Sequence, residues 1–169
     1  MYRDDFIESL ICKHRQRGIL VDSNLLLLLL VGVFDRNLVK RIKRLNKYSV
    51  RDFDLLGRFC EGFTRILTTP HVLTEISNLT QNAEDRRMYA FFHFLAKQFG
   101  ILVEHHRISA DIVQHSLFSS FGLTDSALAM ESDAGVLVLT DDFALCAALQ
   151  KRGRDAINFN HLRQAYLLN

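Results

Sequence analysis

Short, wholly apolar runs alternate along this chain with longer stretches in which apolar residues recur every three or four positions. Ile19-Leu20-Val21, Ile66-Leu67-Thr68, Ile101-Leu102-Val103 and Val136-Leu137-Val138-Leu139 are too short for helices and lack polar alternation. They predict strands buried on both faces, with Ala156-Ile157-Asn158-Phe159 as a weaker fifth.

The segments between them carry helical spacing. One helix is expected from about Asn24, capped by Ser23 or Asn24. A second over 36–51 has Leu38, Ile42 and Leu45 as its buried stripe, and a third runs from about Ser49 to Phe63 with Phe53, Leu56, Phe59, Cys60 and Phe63 on one face. Pro70 fits the first turn of the next. Further helices are expected from about Ala83 to Gln98, from Ser109 to about Ser119, from Thr124 or Asp125 through Met130, from Asp141 or Asp142 to Gly153, and at the C-terminus. Strands that alternate with helices predict an α/β fold, with a mostly parallel sheet of four or five short strands covered on both faces. Right-handed crossovers then bring the C-terminal ends of the strands to one edge.

The run Leu25 to Leu30, extended by Val31, Val33 and Phe34, is apolar on every side of its helix. It falls far short of the roughly 20 residues of a membrane span, and Asp22 and Asp35 bracket it. The run is therefore expected to be buried all round, inside the chain or at a subunit interface. One proline and no low-complexity stretch leave no linker, so residues 1–169 read as a single domain. Cys12, Cys60 and Cys146 are odd in number and form no C-x-x-C pair, which supports neither a disulfide framework nor zinc. An acidic start, Arg3-Asp4-Asp5, lacks the order of a signal peptide, and a cytoplasmic location is the expectation.

Net charge is only +2, but seven of the 21 basic residues lie between Arg36 and Arg51 with no acid among them. Arg36, Lys40, Lys43, Arg44 and Lys47 would form a cationic helix face, either simply solvated or placed for phosphate contacts. The acids are distributed differently. Asp22, Glu75, Asp125 and the pair Asp141-Asp142 each sit where a predicted strand or loop hands over to a helix. Taken singly, each is explained by helix capping or the helix dipole. Taken together at one sheet edge, they make a hard, oxygen-rich pocket suited to Mg²⁺ or Mn²⁺.

The order of these segments resembles that of PIN-domain nucleases: Asp22-Ser23-Asn24 after the first strand, Pro70-His71-Val72-Leu73-Thr74-Glu75 on a helix, Thr124-Asp125-Ser126-Ala127 at a helix start, and Thr140-Asp141-Asp142 after a late strand. The likeness spans residues 19 to about 160. It implies a three-layer α/β/α fold and a metal-dependent endoribonuclease that cleaves single-stranded RNA by metal-activated water, leaving a 5′-phosphate. Asp22, Glu75, Asp125 and Asp142 would hold one or two Mg²⁺ or Mn²⁺ ions, with Asp141 as the adjacent alternative for the fourth place. Asn24 and Thr140 would orient the carboxylates. A processing or decay RNase and a toxin both fit; the toxin would be a homodimer restrained by an antitoxin protein. A non-catalytic PIN-like module that binds RNA or protein is the alternative from another class. Phosphoaspartate hydrolases need Asp-x-Asp where this chain has Asp22-Ser23-Asn24, and receiver domains need a pair of acids there. The seven histidines read as surface or satisfied polar groups.

Overall fold

The computed structural model describes residues 2–80 and 86–167. Five strands form one sheet: β1 (Ile19–Val21), β2 (Ile66–Thr68), β3 (Val103–Glu104), β4 (Leu137–Thr140) and β5 (Ala156–Asn158). Their order is β3-β2-β1-β4-β5 and every pairing is parallel. Ile19 lies opposite Ile66 on one side and Leu137 on the other, so the central strand is enclosed and fully buried. This is the α/β architecture, with helices over an all-parallel sheet, that the apolar runs predict.

Helix α1 (Tyr2–His14), for which the apolar pattern gave no expectation, buries Ile7 and Leu10. Its end is tied to the turn before β5, where Lys13 and His14 both reach Asp155 at 2.6 Å. Helix α2 (Ser23–Phe34) follows β1 and is buried along Leu25–Val31 within the chain itself. It contacts α3 (Val50–Cys60), α4 (Pro70–Thr80) and α5 (Arg86–Phe99). Close approach of α3 requires Gly32, because a Cβ there would overlap the Phe53 ring. Two α5 phenylalanines pack inward, Phe91 and Phe94 lying 5.3 and 5.4 Å from the Phe34 ring, whereas Tyr89 is exposed. The predicted start of that helix at Ala83 lies outside the described residues.

Three expectations are corrected. Residues 36–51 do not form one basic helix. Asp35 closes α2 and accepts from Asn37 N at 2.9 Å, opening a single 3-10 turn, Arg36–Leu38. Ile42 is then extended (φ −82°, ψ 117°) before a second turn, Lys43–Leu45. Leu38, Val39 and Leu45 anchor the segment in the core, while neighbouring like charges with no acid to offset them disfavour a continuous helix. Strand β3 starts two residues later than expected, because Ile101 N and Leu102 N still bond to Gln98 O at the exit of α5. The helix expected from Ser109 stops at Ile112 as α6, and α7 (Phe118–Asp133) is broken at Gly122, whose φ of 76° turns the chain before the helix resumes toward Asp125.

Helix α8 (Phe143–Lys151) then leads to β5 and α9 (Phe159–Leu167), which returns against α3. Among the described residues, no helix is long and apolar enough to cross a membrane.

Candidate active site

In a parallel sheet of this order, the chain runs to one side from β1 through β2 and β3 and to the other through β4 and β5. The connections diverge at the C-terminal ends of β1 and β4, the position in such a sheet where ligands are commonly bound. Asp22 and Asp141 are the first residues past those two ends.

Asp22, and not Ser23 or Asn24 as expected, is the N-cap of α2: its Oδ1 accepts from Leu25 N at 2.9 Å, and its Oδ2 accepts from Asp141 N at 2.8 Å. The carboxylate thus caps a helix and clamps two strand ends together. Burial raises its pKa, the Asp141 charge adds to this, and hydrogen bonds from Thr140, Leu25 N and Asp141 N pull the other way; the net value is pushed up to about 7.

Asp141 is the more heavily compensated acid. Its side chain, only 4% exposed, forms an ion pair with the Lys47 ammonium. The Tyr48 hydroxyl donates to Oδ2, and Asn24 Nδ2 donates to Oδ1 at 3.1 Å. Asn24 is itself held by Arg44 Nε, 2.7 Å from its Oδ1. Burial works against the charge on Asp141, yet Lys47, Tyr48 and Asn24 more than offset it and hold the carboxyl below the ordinary carboxylate range. Behind it, Asn160 Nδ2 donates to Asp141 O at 3.1 Å, and Arg163 links Asn160 to the buried Asp52, with Nε to Asp52 Oδ1 at 2.6 Å. Asp52 also closes a capping box with Ser49 at the start of α3.

The other acids are placed differently. Asp142, exposed, caps α8 through Oδ1, which accepts from Ala144 N at 2.6 Å and Leu145 N at 3.0 Å. Thr140 joins the two sides: its hydroxyl serves Asp22 and accepts from Asp142 N at 3.0 Å. Asp125, in α7, and Glu75, in α4, are half-buried. Burial pushes the Asp125 carboxyl up to about 6, helped by the charges of Asp142, Glu75 and Asp141. Acids from α4, α7 and the β4–α8 junction thus lie close enough for their charges to act on Asp125. On the elements that carry Glu75 and Asp125, and on β2, the buried atoms Thr68 Oγ1, His71 Nδ1 and Ser126 Oγ make no hydrogen bond within the described residues.

The donor chemistry of this edge, carboxylates and hydroxyls, fits a hard divalent cation. The side chains as they stand are engaged separately: among the described residues no group of three or more His, Cys, Asp or Glu is gathered so as to hold one ion. Of the five basic residues expected to meet phosphate, Lys47 and Arg44 point into the edge, Arg36 pairs with Asp54 at 2.6 Å, and Lys40 and Lys43 are exposed. Tyr48, Asp52, Asn160 and Arg163 were not singled out in the sequence; only Asp52 had a local signal, the Ser49-x-x-Asp52 spacing of a capping box. His14, His105 and His115 pair with Asp155, Glu131 and Asp133, the satisfied polar roles expected of them. A cavity of about 550 Å³ lined by Arg17, Glu104, His105, His106, Arg107 and Glu131 contains none of the edge acids. Comparison with known proteins returns no match: no family model fits the chain, and no curated protein or solved structure is similar to it.

Proposed function

We propose that this chain is a Mg²⁺- or Mn²⁺-dependent endoribonuclease of the PIN kind, acting on single-stranded RNA. The observation that carries this is the collection of acids at one sheet edge: burial raises the Asp125 carboxyl first, with the charges of Asp142, Glu75 and Asp141 adding to it, and burial with the Asp141 charge does the same for Asp22. Like charges brought together from separate elements cost folding free energy, and a divalent counter-ion relieves that cost. When bound, such an ion polarises water and offsets charge that develops on the phosphoryl oxygens.

The chain's own residues supply the frame. Asp125, Glu75 and Asp142 offer oxygen donors from three elements. Asp22 fixes the spacing of β1 and β4 and presents a carboxyl whose proton affinity lies near neutrality. Asn24 and Thr140 orient Asp141 and Asp22. Lys40 and Lys43, exposed on the segment that also carries Arg44 and Lys47, extend the site with positive charge for a phosphate backbone. In a toxin, an antitoxin protein would act by covering this edge.

The non-catalytic alternative draws on one feature, the Lys47 ion pair that already neutralises Asp141. Cleavage of labelled single-stranded RNA with added Mn²⁺ separates the two. Wild type is expected to cut, and Asp22→Asn and Asp125→Asn to lose activity by about a hundredfold or more. RNA binding without cleavage by wild type, or equal cleavage by the variants, rejects the nuclease.

A further inference from the structure

Strand β5 ends the sheet on one side, and beside it lies a cavity of about 140 Å³ lined by Phe6 and Ile7 of α1, Gln150 of α8, Ile157 and Asn158 of β5, and His161 of α9. A cavity of that size holds one benzene-sized ring. Phe6 and His161, both exposed, bring rings to its wall, and the His161 ring packs 5.6 Å from that of the exposed Phe143.

The polar side chains of the wall have capacity to spare. Asn158 is only 1% exposed, and its Oδ1 accepts from Asn160 N at 2.9 Å and from Asn160 Nδ2 at 3.1 Å. The backbone donor fixes which end of the amide is oxygen, so Nδ2 is a buried donor, and it has no partner within the described residues. Such a donor carries a desolvation cost that an acceptor on a ligand removes. Gln150 Nε2 donates to Ala156 O at 2.8 Å, which leaves its Oε1 as an acceptor. A donor, an acceptor and aromatic walls around space for one ring complement a pyrimidine base, whereas the second ring of a purine exceeds that space. The cavity is also tied to the acidic edge: Asn160 Nδ2, bonded to Asn158, donates to Asp141 O at 3.1 Å, and Phe143 directly follows Asp142.

We infer that this cavity is a nucleobase subsite that takes a pyrimidine of single-stranded RNA, its ring against Phe6 and His161, an acceptor of the base on Asn158 Nδ2 and an N–H of the base on Gln150 Oε1. This rests on the ribonuclease proposed above and names the base class that it selects.

The test is the binding of short labelled oligouridylate, oligocytidylate and oligoadenylate to the full chain, by fluorescence anisotropy with divalent ions chelated. Wild type should bind the two pyrimidine strands about tenfold more tightly than oligoadenylate. Phe6→Ala with His161→Ala, at exposed positions, should abolish that preference and leave oligoadenylate binding unchanged. In the NMR spectrum, the Asn158 side-chain amide should shift on titration with uridine or cytidine and stay in place with adenosine. Equal affinity of wild type for the three strands, a preference that survives in the double variant, or an Asn158 amide unmoved by both pyrimidine nucleosides overturns the inference. RNA cleavage by wild type alongside any of these leaves the nuclease standing. A pyrimidine preference lost in the double variant, with no cleavage once Mn²⁺ is added, supports the subsite and rejects the nuclease. Neither binding nor cleavage of any strand overturns both.

Discussion

The two halves of the acidic edge are built on opposite principles. Around Asp22 and Asp141 every carboxylate oxygen has a donor supplied by the chain, and the two acids serve as cap, clamp and ion-pair partner. Around Asp125 the neighbours are further acids, and the adjacent buried hydroxyl Ser126 Oγ goes without a partner within the described residues, as does Asn158 Nδ2 beside β4. A satisfied buried network rigidifies a fold, whereas an unsatisfied one is a cost that binding a ligand can remove. One half is thus part of the scaffold, and the other is where the scaffold leaves a need for positive charge.

The largest expected effect tests that division through stability. Asp141→Ala strips the Tyr48 hydroxyl of its acceptor and leaves the Asn24 amide and Lys47 without a partner, which should cost about 2–4 kcal/mol. Asp125→Ala should stay within about 0.5 kcal/mol of wild type, or stabilise, since it removes a carboxylate surrounded by like charge and gains helix propensity. Urea unfolding of both variants near pH 8, without divalent ions, gives the comparison. Equal losses would mean that the two halves are not different in kind.

Much of this contrast was legible in the sequence, but unevenly. The strands announced themselves because a strand buried on both faces must be apolar at successive positions, as Ile19-Leu20-Val21 and Leu137-Val138-Leu139 are. Asp22, Asp141 and Asp142 were legible because each follows a strand or caps a helix, whereas Glu75 lies more than a turn inside α4 and Asp125 inside α7, past its break at Gly122. The basic segment departs from its expected helix: Leu38, Ile42 and Leu45 have helical spacing, yet in the fold they serve two separate turns joined by extended chain at Ile42. The partners of Asp141 and Asp52 were not legible at all. Tyr48 meets Asp141 across 93 positions, and Arg163 meets Asp52 across 111, so neither pairing follows from any local pattern. Sequence therefore located the charges, while long-range packing decided which of them would be compensated.

A smaller effect, in pH, cuts across the halves, because Asp22 shifts with Asp125 and against its neighbour Asp141. Asp22, at about 7, and Asp125, at about 6, both hold their protons more tightly in the folded chain than a free aspartate near about 4. Their contribution to stability is therefore full below about pH 4 and is lost as pH rises through 6 and 7. Asp141, with its carboxyl lowered, works in the opposite sense: its contribution is present above about pH 4 and is lost as pH falls through its folded value. Melting temperature is expected to fall between about pH 5 and 8 from the first pair, and Asp22→Asn with Asp125→Asn should flatten that slope. Mn²⁺ should raise the melting temperature more at pH 8 than at pH 5, by several degrees for a stabilisation of about 2.7 kcal/mol at a hundredfold excess over Kd. A Mn²⁺ effect independent of pH would remove the link between the acids and the metal.

The smallest effect concerns the cations that border the two halves. Lys47 is committed to Asp141, Arg44 to Asn24 and Arg36 to Asp54, whereas Lys40 and Lys43 are exposed. Only a cation that exchanges solvent counter-ions for phosphate adds to the salt dependence of RNA binding, at about 0.7 in the log-log slope per contact for single strands. Measured on an Asp125→Asn background without divalent ions, Lys40→Ala with Lys43→Ala should lower the slope by about 1.4, while Lys47→Met leaves it unchanged because that ammonium is already paired. If Lys47→Met lowers the slope as much as Lys40→Ala does, then Lys47 leaves Asp141 for the RNA. The compensated half of the edge would then open when substrate binds.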